Sequence, residues 1–174
     1  MRTMPRRPLI GVMGGGDDAT PAECGLAEEF GRLAAAAGWV LLCGGRPVGI
    51  MEAAARGAHA AGGLTIGVLP GREDRPGEVS AHLDIAILTG MGDARNAINA
   101  LSSRVVVACP GGPGTVSEIA LALKCGRPVV LLGWDAPVTV FARQVAQGRM
   151  RVAWTSAEAR DQVAALVADV TAAP

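Results

Sequence analysis

Tyrosine is missing from this 174-residue chain, and aromatic residues together make up only 3% of it. A core without large rings has to be filled by Ala, Val, Leu and Ile, which suits closely packed helices on a sheet. Net charge is missing too: 16 Lys and Arg balance 16 Asp and Glu, with a pI near 6.7. That balance argues against a general nucleic-acid or membrane-surface binder, both of which need a basic face, while leaving room for a locally basic pocket. Cys24, Cys43, Cys109 and Cys125 include no C-x-x-C pair, so neither a zinc site nor a disulfide framework is indicated. Apolar runs stop well short of the roughly 18 residues of a membrane span, and the run in "MRTMPRRPLIGVMGGG" is too short and glycine-broken for a signal peptide. The expectation is a cytoplasmic protein with reduced thiols and no metal.

What the sequence does have is a regular alternation of apolar runs and helical patterns. "PLIGVM", "WVLLC", "LTIGVL", "LDIAIL", "RVVVAC", "RPVVLLGW" and "MRVAWT" read as strands. Between most of them lie helical stretches. The first, from Thr20, carries a capping box of Thr20 and Glu23 with Pro21 at the first helical position, a buried stripe of Leu26, Phe30, Leu33, Ala34 and Ala37, and Gly38 as its stop. Further helices are expected at "VGIMEAAARGAHAAGG", "DARNAINALSS", "TVSEIALALKCG", near residues 137–148, and from Ser156 to Ala172, the last with Thr155 and Glu158 as its box and Val163, Leu166, Val167 and Val170 inside. Strands without polar alternation, separated by helices, indicate βαβ units. The chain reads as one α/β domain over residues 1–174, a doubly wound, Rossmann-like, mostly parallel sheet with helices on both faces.

A parallel sheet lines up its strand C-termini along one edge, where ligands bind. Four glycine-rich turns should therefore converge: "MGGGDD", "CGGRPVG", "TGMGDARN" and "CPGGPGT". The last opens a helix, whose free N–H groups and dipole favour an anion. Gly111, Gly112 and Gly114 let the backbone approach a phosphate, and Thr115 adds a hydroxyl; Gly44, Gly45, Arg46 and Asn96 are further binding candidates. Arg95 is placed to clamp a phosphate or pair with Glu118, and Glu118, read as a first-turn residue, complements the dipole, accepts a ribose hydroxyl or stabilises an oxocarbenium-like centre. No G-K-[ST] follows any turn, and Cys43 ends the strand where an NAD site would offer an acid. Asp17 and Asp18 would repel a pyrophosphate. His59 and His82 look incidental, and Cys43 and Cys109 read as small buried apolar residues.

The segments "PGGPGTVSEIALAL" and "CGGRPVGIMEAAARGA" resemble the LONELY GUY-like superfamily of Rossmann-related proteins over roughly residues 8 to 134, through P-G-G-x-G-T with an acid three positions on and G-G-x-x-x-G-[LI]-M. The resemblance implies one of two activities. The superfamily's phosphoribohydrolases release ribose 5-phosphate from AMP or a cytokinin nucleotide, with an Arg and the Glu that map to Arg95 and Glu118. Their motif is M-x-x-R-K, whereas "MGDARN" sets Arg95 four residues after Met91. That form is similar instead to the branch containing molybdenum cofactor carriers, which implies binding of a phosphate-bearing pterin without turnover. The carrier is the preferred expectation, as a homo-oligomer, dimer or larger, whose partner is a phosphate-bearing small molecule.

Overall fold

The structure, a computed structural model, describes residues 6–135 and 148–171 together with positions 140, 144 and 146. The helix expected near 137–148 falls largely outside the described residues. Seven strands run β1 (Leu9–Met13), β2 (Val40–Cys43), β3 (Thr65–Leu69), β4 (Ile85–Leu88), β5 (Val105–Ala108), β6 (Val129–Leu132) and β7 (Met150–Ala153). The helices are α1 (Pro21–Ala36), α2 (Gly49–Ala60), α3 (Asn96–Ser102), α4 (Pro113–Lys124) and α5 (Ser156–Thr171), with a 3-10 turn at Gly92–Arg95 leading into α3. The sheet order is β4-β3-β2-β1-β5-β6-β7, and every pair in it is parallel. The fold is the expected Rossmann-like α/β sheet.

Two apolar layers flank it. One, containing Phe30, Ile50 and Val163, lies beneath α1, α2 and α5; the other, containing Met13, Leu42 and Val106, lies beneath α3 and α4. Alanine dominates the first because the helices approach closely. A Cβ on Gly31 would strike the carbonyl oxygen of Ala54, and one on Gly57 would strike that of Glu28, so both glycines set the spacing of α1 against α2. The α1 stripe differs accordingly from the expected one. Phe30 and Ala34 are fully buried, but Ala37 is exposed beyond the last turn, and Ala27 and Gly31 complete the inner face.

Local chemistry sets the helix ends. The Glu23 N–H donates to Thr20 Oγ1 at 3.3 Å while the Thr20 N–H donates to Glu23 Oε2 at 2.7 Å. Gly38, at φ +77°, turns the chain out of α1. Helix α4 starts two residues earlier than its sequence pattern indicated, because Pro113 suits the first turn, where no N–H is required. Glu118 therefore sits on the second turn, and dipole complementation at the helix start no longer accounts for it.

Helices cover both faces over the middle of the sheet, but β4 is left bare. The connection at residues 70–84 contains no helix, and Ile85, Ala86, Ile87 and Leu88 are all exposed. His59 and His82 are not isolated: their rings lie 5.8 Å apart, with Glu52 Oε1 3.4 Å from His82 Nε2 and Asp84 Oδ1 3.9 Å from His59 Nδ1. No helix among the described residues is long and apolar enough to cross a membrane.

Candidate functional site

Strand order reverses between β1 and β5: β2, β3 and β4 follow on one side of β1, and β5, β6 and β7 on the other. At such a point the two loops leaving the strand ends turn opposite ways and open a crevice. A cleft of about 240 Å³ lies there, and all four glycine-rich turns line it.

The turn after β5 forms one wall. Gly112 is the N-cap of α4 and has no side chain with which to cap it, and Pro113 has no N–H; the first intrahelical bond is donated by Val116 to the Gly112 carbonyl at 3.1 Å. The N–H groups of Gly114 and Thr115 consequently have no partner within the helix, and both residues face the cleft at the positive end of the helix dipole. Gly111 serves a different purpose. A Cβ there would lie 2.6 Å from the Gly15 nitrogen, and the Gly15 N–H donates to the Pro110 carbonyl at 2.8 Å, so Gly111 lets the β1 and β5 turns pass against each other.

The opposite wall comes from the 3-10 turn and α3. Arg95 lies across Gly44, where a Cβ would come within 2.5 Å of Nη1 and 2.8 Å of Nη2; a glycine after β2 is the condition for the arginine's position. Its Nη1 is 3.8 Å from Glu118 Oε1, both side chains are largely buried, and its Nε has no partner among the described residues. Glu118 Oε1 also accepts from Asn99 Nδ2 at 2.7 Å. Burial raises the Glu118 carboxyl above its ordinary value, with the Asn99 hydrogen bond and the Arg95 charge opposing it. Asn96 Nδ2 donates to Ser117 Oγ at 3.0 Å and, more weakly, to the Gly114 carbonyl at 3.5 Å, tying the start of α3 to the start of α4.

Sequence candidates and structure diverge at several points. Gly112, Gly114, Thr115, Arg95, Asn96, Glu118 and Gly44 meet in the cleft. Gly45, at φ +76°, instead accepts the Ser80 N–H at 2.9 Å and anchors the long loop before β4. Arg46 lines a separate depression that also holds Glu73 and Glu78. Asn99 was not among the candidates; its signal was a pair of amides at i and i+3 in the otherwise apolar "NAINAL". Asp18 and Asp93 also line the cleft, both exposed, so an anion there depends on Arg95 and the two backbone donors. Cys43 and Cys109 are wholly buried, and burial pushes their thiols up to about 11 and about 12, which keeps them protonated and unreactive.

The family model described as SLOG cluster4 family matches residues 7–162. The molybdenum cofactor binding protein of Rippkaea orientalis superposes with a TM-score of 0.90 at 46% identity, over 93% of this chain and 98% of that one. The molybdenum cofactor carrier protein of Chlamydomonas reinhardtii gives 0.88 at 48%, over 94% and 99%. A cytokinin riboside 5'-monophosphate phosphoribohydrolase of Mycobacterium tuberculosis is 36% identical over 113 residues, which span 62% of this chain and 60% of that enzyme.

Proposed function

This chain belongs to the SLOG cluster4 family, and from that premise we propose that it is a carrier for the molybdenum cofactor, held by its phosphate and released unchanged. The observation that carries this reading is the uncapped start of α4, with the Gly114 and Thr115 N–H groups facing the same cleft as Arg95. A phosphate there exchanges water for charge-assisted hydrogen bonds from donors that are already aligned. At about 240 Å³ the cleft encloses the anionic end of such a ligand and leaves the rest at its open mouth, where an acceptor protein can reach it. Support comes also from the near full-length likeness to carrier structures. Asn96 contributes by holding the two walls together, and Glu118 by anchoring Asn99 and Arg95.

A second reading has its own observation. The Arg95–Glu118 pair beside the cleft is the residue set that hydrolysis of a nucleoside 5'-monophosphate would use, Glu118 stabilising a cationic sugar centre. Its carboxyl, however, is buried and already engaged by Asn99.

The two are separated by incubating the protein with AMP and with a cytokinin monophosphate and measuring free base. The carrier reading expects none over many protein equivalents, together with transfer of bound cofactor to a cofactor-free acceptor enzyme. Multiple turnovers abolished in Glu118→Gln would establish the hydrolase instead. We place the carrier in the cytoplasm as a homo-oligomer, with the bare β4 face as the contact between copies, because a parallel sheet is ordinarily covered on both sides.

A further inference from the structure

The opposite edge of the sheet holds a second hollow, of about 720 Å³, at the strand N-termini. The five residues of β1 separate it from the cleft by about 13 Å, four steps at about 3.3 Å each. Its floor is aliphatic, built from Leu9, Val40, Leu64 and Ile66, and its rim carries Arg6, Arg7, Arg104 and Arg127. No carboxylate is among the described residues that line it. In a chain whose charges sum to zero, four permanently charged guanidinium groups around one concavity are a local excess.

Helix capping explains half of that excess. Arg7 Nε donates to the Gly38 carbonyl at 2.9 Å, just past the end of α1, and Arg127 Nη2 donates to the Leu101 carbonyl at 2.9 Å in the last turn of α3, both at negative helix ends. Arg6 and Arg104 make no side-chain hydrogen bond or ion pair among the described residues. The volume lies within the roughly 300–1,000 Å³ typical of small-molecule sites. An apolar floor beneath unpaired guanidinium groups matches a ligand with an apolar body and one doubly charged head, and the arginine fork fits a phosphate with two parallel hydrogen bonds.

We propose that this hollow is a second ligand site, for an organic phosphate monoester, with Arg6 and Arg104 holding the phosphate and the aliphatic floor holding the organic body. It is independent of what the cleft at the other edge binds.

The test is titration of 15N-labelled protein with 1-naphthyl phosphate, with 1-naphthol as the uncharged control. Amide shifts are expected at Leu9, Val40, Leu64 and Arg104, absent with 1-naphthol at the same concentration, and weakened by raised salt. Affinity at those amides should fall about tenfold or more in the Arg6→Gln/Arg104→Gln double variant, the scale of losing charged hydrogen bonds. A titration that leaves these four amides unmoved overturns the proposal, as does a double variant that binds there as tightly as the original chain. The first of these readouts needs no variant to fold.

Discussion

Glu118 differs from the other carboxylates of the cleft in being buried, and that difference has a measurable sign. Its folded-state pKa is raised above the ordinary 4.5, so the native state holds a proton that the unfolded chain releases. Its contribution is therefore fully present below about pH 4.5 and is lost as pH rises through the folded value. Replacing it by Gln, which keeps an acceptor for Asn99, should flatten the fall in stability above pH 4.5; urea unfolding at a series of pH values checks this, and an unchanged slope would contradict it. Gly44 offers a second test at this scale. Gly44→Ala places a Cβ within 2.5 Å of Arg95 Nη1 and 2.6 Å of Met51 Sδ, so the flexible ends of both side chains must swing aside. Phosphate-ligand affinity should drop roughly tenfold, about the 1.5 kcal/mol of one charged hydrogen bond, with little change in Tm. The importance of Gly44 was legible in "CGGRPVG", but the reason was not: it clears space for Arg95, a side chain from the 3-10 turn before α3 that no sequence spacing connects to it.

Element boundaries followed local chemistry wherever that chemistry was written in the chain. The Thr20–Glu23 box closes as its spacing requires, and Thr20→Ala should cost about 1 kcal/mol in chemical unfolding. Where two signals competed, as at "PGGPGT", the proline rather than the threonine marked the start of α4, and Glu118 moved from the first turn to the second. The α1–α2 contact was less legible, since Gly31 and Gly57 read as helix-weakening residues until the facing helix is present. Gly57→Ala gains up to about 1 kcal/mol of helix propensity. Against it stands overpacking of about 1–3 kcal/mol or more, because the obstacle is the Glu28 backbone carbonyl and not a side chain that can rotate away. The net effect should be destabilising, and a Gly57→Ala protein with a higher urea midpoint would show that the helices can separate at no cost.

Across the whole molecule, strand order decides what composition could not. The alternation of strands and helices made a doubly wound sheet legible, and "REDRPGEVSAH" reads as a polar loop without a helix, yet only the strand order shows that this connection leaves the sheet edge bare. Ile85 and Ile87 stay more than 40% exposed on the face shared with Ile66. Assembly through that face predicts that Ile85→Lys together with Ile87→Lys gives a folded monomer by light scattering; a double variant of unchanged mass would place the contact elsewhere. The same ordering brings the β1 and β5 ends together and so creates the cleft. The most direct test of the account is therefore a crystal structure of the protein loaded with molybdenum cofactor. It should show the cofactor's phosphate accepting hydrogen bonds from the Gly114 and Thr115 N–H groups with Arg95 alongside. A cofactor whose phosphate sits away from the start of α4, with those two donors facing water, would contradict it.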